Sequence, residues 1–200
     1  MVVGHRFSGT NPGRYGVGTL IPRRHHVADL QAFSAQFSLR RVDPDRDLAL
    51  LHSWMNDPEV ARFWRMAWPV EQIATYLHGQ DRSAHSTPYL GELDGVPMSY
   101  WELYRADLDP LAEHYSACEH DAGLHLLLGP AECRGRGLAV NLLSAVSSWQ
   151  LEVDPRAARV VAEPDVQNTR AIRAFERAGF RRTVDLDLPN KRAALMVRGR

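Results

Sequence analysis

Cysteine, net charge and long apolar runs are all scarce in this 200-residue sequence. Only two cysteines occur, Cys118 and Cys133, so a disulfide framework is excluded and a reducing cytoplasm is the expected setting. The 24 basic and 24 acidic residues cancel, which argues against a protein that binds nucleic acid through a broad basic field. No apolar run is long enough to span a bilayer and the N-terminus lacks a signal-peptide core, so neither a membrane anchor nor export is expected.

The composition changes near residue 36. Residues 1–36 are rich in Gly, Arg and Pro and have no sustained period, which predicts a flexible or loosely docked arm. Residues 37–200 carry alternating and helical patterns and are long enough for one domain with its own core. The order of predicted elements is a strand, helices, antiparallel strands, and then a strand–helix–strand–helix–strand series. This order predicts an α/β (α+β) fold with a central mixed, mostly antiparallel sheet flanked by helices.

A loop with two glycines and two arginines separates an apolar strand from an amphipathic helix. Gly135 and Gly137 allow a tight turn and a close approach of the backbone to a ligand. The free N–H groups of the first helical turn favour an anion, and Arg134 and Arg136 could add positive charge. The loop matches neither the P-loop, because no GK[ST] closes it, nor the dinucleotide G-x-G-x-x-G spacing. On the residues alone, a pyrophosphate site and a solvated Gly/Arg loop are equally open.

Two motifs in this part of the chain carry a family resemblance. The run Arg134-x-x-Gly137-x-Ala139 resembles the acetyl-CoA loop of the GNAT superfamily of N-acyltransferases, [QR]-x-x-G-x-[GA]. The segment EPDVQNTRAIRAFERAGF resembles the family's next element, in which an Asn opens a helix that ends in Gly-Phe. The resemblance implies the GNAT fold and an acyl-CoA cosubstrate, either acetyl-CoA or succinyl-CoA, with no metal. The coenzyme contacts that it implies are Leu126, Leu127, Leu128, Arg134, Gly135, Arg136, Gly137, Leu138, Ala139, Asn168, Arg170 and Phe175.

From about Phe37 to Val197 the chain is also similar to the siderophore-biosynthesis branch of this superfamily. That branch includes hydroxylysine acetyltransferases, lysine N-acyltransferases and the acyltransferase of desferrioxamine assembly. Its proposed catalytic pair matches His125 and Asp165, which implies that a neutral His125 takes a proton from the attacking nitrogen while Asp165 orients or assists it. Many GNAT enzymes carry a Tyr general acid on the last helix, but Phe175 has no proton to give. On the residues alone, a core histidine and a turn-capping aspartate remain alternatives.

Aromatic residues and one acid are expected to form the acceptor pocket. Aromatic walls suit an aliphatic chain and Glu102 suits a distal ammonium, although strand alternation sends only every other residue of SYWELYR to the cleft. The expected acceptor is a small-molecule amine or hydroxylamine, an N-hydroxylated diamine or lysine such as N-hydroxycadaverine. An aminoglycoside-type N-acetyltransferase and a non-catalytic CoA-binding module remain alternatives, and His114, Cys118 and His120 do not fit a standard metal site. The pocket residues expected are Trp54, Trp64, Trp68, Tyr100, Trp101, Glu102, Tyr104 and His114.

Overall fold

The computed structural model describes residues 14–16 and 36–200 of the chain. The arm expected over residues 1–36 therefore lies mostly outside the described residues; Arg14–Gly16 form a short strand, β1. This strand pairs antiparallel with β2, Phe37–Arg41, whose alternating apolar residues are buried on one face. No helix in the described part of the chain is long and apolar enough to cross a lipid bilayer.

Three helices follow β2 and cover one face of the sheet. The Asp57 side chain caps the second helix by accepting hydrogen bonds from the N–H groups of Glu59 and Val60, and Pro58 occupies its first turn, where a missing N–H costs nothing. The apolar residues of the first helix recur at helical spacing and are buried. The three helices are α1 (Leu48–Met55), α2 (Pro58–Trp64) and α3 (Val70–Asp81).

A β-hairpin and a third antiparallel strand form the centre of the sheet. Strands β3 (Ser86–Leu93) and β4 (Val96–Arg105) are joined by Asp94 and Gly95, both at positive φ, as a two-residue hairpin turn requires. Two short 3-10 turns lie in the loop after β4. Strand β5 (Ala122–Leu128) then pairs antiparallel with β4.

The remaining elements complete an eight-stranded sheet in the order β1-β2-β3-β4-β5-β6-β8-β7. They are α4 (Leu138–Val153), β6 (Arg159–Ala162), α5 (Thr169–Arg177), β7 (Arg181–Leu188) and β8 (Lys191–Gly199). Among the described strands, β5 and β6 are the one pair of parallel neighbours. The predicted mixed, mostly antiparallel sheet flanked by helices is therefore confirmed.

The parallel pair separates soon after it begins. Strands β5 and β6 are paired only at Ala122–Val160 and Gly123–Val161, and the rest of β5 has no register partner on that side among the described residues. Separation of two strands exposes main-chain groups that a continuous sheet would bond to each other. We call the gap between the separated strands, beside residues 124–128, the slot. Helix α4 begins shortly after the end of β5.

Candidate active site

The loop before α4 presents unpartnered main-chain donors. Gly135 and Gly137 have φ of 71° and 79°, the left-handed region that other residues enter only with strain. Within the described chain, the N–H groups of Gly135, Arg136 and Gly137 donate to no carbonyl or side chain, and α4 has no side-chain cap. Successive free N–H groups at a helix N-terminus suit an anion, and a pyrophosphate at this loop stays a prediction.

The two arginines of this loop differ, and the expectation for the Arg134 side chain is corrected. Its guanidinium donates to both carboxylate oxygens of Asp57 at 3.0 and 2.8 Å, to Glu59, and to the carbonyls of Leu128 and Gly129. All three guanidinium nitrogens are thus engaged, which leaves no free donor for a phosphate. The Arg136 side chain is exposed, and its one hydrogen bond is a long contact of 3.5 Å with the carbonyl of Glu132. Arg134 braces the loop against α2, and Arg136 is the arginine left accessible.

The residues expected to contact the coenzyme on α5 have separate roles. Asn168 caps the helix by accepting a hydrogen bond from the N–H of Ala171 at 3.1 Å. Arg170 is exposed beside it. Phe175 is buried, and its ring packs edge-on against Phe180 with centroids 5.0 Å apart, so it belongs to the core.

A cluster of polar side chains surrounds His125 on β5. The ring Nδ1 lies 2.9 Å from Glu102 on β4, and Nε2 lies 2.6 Å from Glu163 just beyond β6. The other oxygen of Glu102 accepts hydrogen bonds from the hydroxyls of Tyr76 and Tyr100. The other oxygen of Glu163 accepts from Tyr104 at 3.0 Å, and the Lys191 ammonium lies 3.3 Å from the oxygen that faces the ring.

This arrangement contradicts the expectation of a neutral His125. A neutral imidazole has one N–H, so it can donate to only one of two carboxylates, whereas an imidazolium donates to both. Burial by itself lowers the pKa of His125, but the charges and hydrogen bonds of Glu163 and Glu102 outweigh it and raise the pKa to about 10. Burial would raise the pKa of Glu163, yet the imidazolium and Lys191 hold it well below its usual range. At neutral pH His125 is therefore charged and has no free lone pair with which to accept a proton.

Asp165 does not orient His125. Between these two described residues there is no hydrogen bond, and Asp165 instead binds the Arg65 guanidinium at 2.7 Å and the N–H of Gln167 at 2.9 Å. Arg65 ends α2 in a left-handed conformation and also donates to the carbonyl of Asn190, between β7 and β8. Asp165 thus joins Arg65, at the end of α2, to the segment that follows β6. Glu163, two residues earlier, is the acid that contacts His125.

The structure brings together four of the eight residues expected in the acceptor pocket. Three are Tyr100, Glu102 and Tyr104, on one face of β4, and the fourth is Trp64, which stacks edge-on with Tyr100 and His125 at centroid distances of 5.7 and 6.3 Å. Trp68 is adjacent, since its ring meets that of Tyr76 at 6.1 Å.

The other three expected pocket residues lie elsewhere. Trp101 is fully buried on the opposite face of β4, as the two-residue period of a strand dictates. Trp54 is core, packed over Gly129, where an added Cβ would come within 2.0 Å of its ring. His114 is exposed and borders a separate cleft along β7. No group of three or more His, Cys, Asp or Glu side chains in residues 14–16 and 36–200 has the geometry to hold a metal ion.

Sequence reasoning missed three members of the His125 cluster: Glu163, Tyr76 and Lys191. Glu163 follows β6 directly, at the strand end where sites in open sheets form, and that position was a usable signal. Tyr76 follows Ile73 by three residues and so shares the apolar face of α3, which a helical-spacing argument could have found. Lys191 begins β8 and is brought in only by the β6–β8 pairing, for which the sequence held no signal.

Comparison with known proteins gives the family. Residues 43–188 match the model described as "Acetyltransferase (GNAT) domain". Lysine N-acyltransferase MbtK of Mycobacterium sp. (strain MCS) is 36% identical over 166 residues, which cover 83% of this chain and 68% of that protein. N(6)-hydroxylysine O-acetyltransferase of Escherichia coli is 37% identical over 82% of this chain, and the match spans about half, 52%, of its length.

A solved structure carries the same fold. AAC(6')-Ib in complex with paromomycin and acetyl-CoA superposes with a TM-score of 0.71 at 28% identity, covering 82% of this chain and 93% of that chain. The chain belongs to the GNAT acetyltransferase family and is an N-acyltransferase. The resemblance to hydroxylysine and lysine acyltransferases is confirmed, because enzymes with those names are among its relatives.

Proposed function

We propose that this chain transfers an acyl group from acyl-CoA to the terminal nitrogen of a lysine-type amine or hydroxylamine and forms an amide or hydroxamate. The observation that carries the proposal is the pairing of two features in one place. A row of free N–H groups before α4 lies beside a slot opened by the separation of β5 and β6. The same strand, β5, places His125 in a charged cluster at that slot.

The loop is the proposed coenzyme site. The N–H groups of residues 135–139 would bind the pyrophosphate, aided by the dipole of α4 and the exposed charge of Arg136. The pantetheine arm would then lie along residues 126–128, whose main-chain groups bond to no neighbouring strand on the β6 side among the described residues. This arrangement delivers the thioester to the level of His125. A main-chain donor of β5 would polarise its carbonyl.

The acceptor chemistry follows from the charges beside the slot. Three carboxylates, Glu102, Glu163 and Asp165, face three cationic groups on His125, Lys191 and Arg65. Because each of these carboxylates is already paired with a cation, none of the three is left free to bind the amines of a polycationic aminoglycoside. The Arg65 guanidinium is about half exposed, with 45% of its side chain accessible, and can pair with a substrate carboxylate.

This exposed cation distinguishes two acceptors within the proposal. Lysine-derived acceptors carry a carboxylate for Arg65 to bind, whereas N-hydroxycadaverine does not. The relatives named for lysine and N(6)-hydroxylysine support the lysine type. Trp64 and Trp68 would line the aliphatic part of either chain.

A substrate panel tests the proposal. The protein is incubated with acetyl-CoA or succinyl-CoA and with lysine, N6-hydroxylysine, N-hydroxycadaverine or kanamycin, and products are identified by mass spectrometry. We expect acylation of N6-hydroxylysine, with Arg65→Gln raising its KM by roughly tenfold and leaving the KM of N-hydroxycadaverine unchanged. Turnover of kanamycin alone, or no binding heat with any CoA species, would overturn the proposal.

A further inference from the structure

We propose that His125 is the general acid of this site: its imidazolium gives the Nε2 proton to the departing thiolate, and Glu163 takes the proton from the attacking nitrogen. The inference rests on the proposed acyl transfer and specifies the direction in which its protons move. It also makes Glu102 a positioning residue. This role reverses the one that the sequence predicts for His125.

The hydrogen-bond inventory carries the first step. Both ring nitrogens of His125 lie within 2.9 Å of a carboxylate oxygen, and only an imidazolium supplies a proton to each contact. Glu102 accepts hydrogen bonds from two tyrosine hydroxyls on its second oxygen. Tyr76 and Tyr100 therefore fix the Glu102 carboxylate against Nδ1, whereas Glu163 lies at the end of β6, where that strand has separated from β5. The exchangeable proton is therefore the one on Nε2.

Among the described groups around His125, the other charged donor is the Lys191 ammonium, and it lies against Glu163 rather than against the ring. The hydroxyls of Tyr76 and Tyr104 are bonded to Glu102 and Glu163, and burial and these carboxylates raise the pKa of both. Trp64 presents an indole edge, which is not acidic. The charged or titratable groups around the ring come from β4 (Tyr100, Glu102 and Tyr104), from α3 (Tyr76), from the end of β6 (Glu163) and from β8 (Lys191).

The position of His125 and the composition of α5 carry the second step. His125 lies on the part of β5 that has separated from β6, and 34% of its side chain is exposed. Phe175, on the helix where a tyrosine acid would be expected, is buried and has no proton to give. The thiolate leaves with a full negative charge, so an imidazolium beside it would assist its departure by protonating the sulfur.

The protons balance in this scheme. The nitrogen lone pair forms the C–N bond, the C–S bond breaks, and its electron pair leaves on sulfur. Sulfur takes the Nε2 proton of His125 and becomes a thiol. Because the imidazolium charge that lowers the pKa of Glu163 is then gone, Glu163 can take the proton from nitrogen. The Glu163 proton then crosses the 2.6 Å contact to Nε2 and restores the starting state without any further reactant.

Histidine NMR tests the charge state without reference to activity. The chain has nine histidines, and His125→Gln identifies the ring resonances of His125 by their loss from the spectrum. We expect His125 to stay protonated at neutral pH and to titrate near pH 10, the raised pKa that its two carboxylates produce. Glu163→Gln and Glu102→Gln should each move that titration to lower pH, and the exposed Glu113→Gln should not. Titration of His125 near its ordinary pKa, about 6.5, would overturn the inference.

Kinetics with acyl-CoA and N6-hydroxylysine test the proton transfers. His125→Gln and Glu163→Gln should each lower kcat by roughly 100-fold, with little change in the KM for acyl-CoA. Wild-type kcat should fall as the pH approaches 10, and Glu102→Gln should shift that fall to lower pH. A wild-type kcat that holds its plateau through pH 10.5 would contradict a general acid. Absence of any acylated product, with the NMR titration as expected, would instead contradict the proposed function.

Discussion

The loop before α4 and the cluster around His125 face the same slot with opposite kinds of groups. The loop offers main-chain N–H groups that have no partner in the described residues. In the cluster, both ring nitrogens and all four oxygens of Glu102 and Glu163 are already bonded to other side chains. The loop has the geometry that suits an anion, whereas the cluster is saturated by its own charges and, under the proposed function, would have to exchange partners when a substrate enters.

This difference predicts what each region tolerates. The loop depends on the positive φ angles of Gly135 and Gly137. Substitution of its other side chains should therefore affect ligand binding little, whereas substitution of either glycine should weaken it. The cluster depends on side chains from α3, β4, β5, β8 and the end of β6. Loss of one of them removes a partner from a buried polar group, which is costly where no other partner remains.

The largest expected effect is on stability, from Glu102→Ala. The change leaves the hydroxyls of Tyr76 and Tyr100 and one ring N–H of His125 without their acceptor. We expect the free energy of unfolding to fall by about 3 kcal/mol, measured by urea denaturation. Glu113→Ala, at an exposed position, should stay within about 0.5 kcal/mol of the wild type. Equal stability of the two variants would show that the cluster is not the saturated network described.

Gly137→Ala tests the loop. An alanine held at φ of 79° costs roughly 1–2 kcal/mol, and relief of that strain would turn N–H groups away from the ligand. We expect calorimetry to show CoA binding weakened by about tenfold. The matched control is Gly79→Ala on the exposed side of α3, which should raise stability by about 1 kcal/mol and leave CoA affinity unchanged. Unchanged affinity in Gly137→Ala would remove the loop as the coenzyme site.

Arg134 and Asp57 join the loop to α2, and Trp64 of α2 contacts His125 in the cluster. Asp57→Asn keeps the helix cap, because Asn caps as well as Asp, but removes the charge paired with Arg134. We expect a loss of about 1 kcal/mol in stability, with CoA binding weakened by a few-fold. Arg134→Gln should behave alike, and the double variant should lose little more than either single one. Fully additive losses would mean that the two side chains act independently.

Local patterns were sufficient to predict the loop but not the cluster. The loop is built by neighbouring residues, and the positive φ of Gly135 and Gly137 is what glycine spacing indicates. The hairpin at Asp94 and Gly95 and the cap at Asn168 are local in the same sense. On the residues alone the loop could be either a pyrophosphate site or a solvated loop, and the resemblance to the GNAT superfamily made it the expected coenzyme loop.

The cluster could be predicted only in part because its members are far apart in sequence. Strand alternation correctly places Glu102 and Tyr104 on one face and Trp101 on the other, yet it cannot say which face meets His125. Asp165 and Glu163 are two residues apart at the end of β6. Only the tertiary structure shows that Glu163 reaches the histidine while Asp165 meets Arg65.

The smallest expected effect belongs to Arg136, the side chain that the loop leaves exposed. Arg136→Gln removes one solvated charge near the proposed phosphate site, where a single exposed pair contributes at most about 1 kcal/mol. We expect CoA affinity to fall by roughly twofold at low ionic strength, and the difference from wild type to vanish near 1 M salt, where the screening length is about 3 Å. Arg82→Gln, at the exposed end of α3, should have no effect at any salt concentration. A tenfold loss of CoA affinity, or one that salt does not change, would instead indicate that Arg136 bonds directly to phosphate. The loop would then depend on a side chain, as the cluster does.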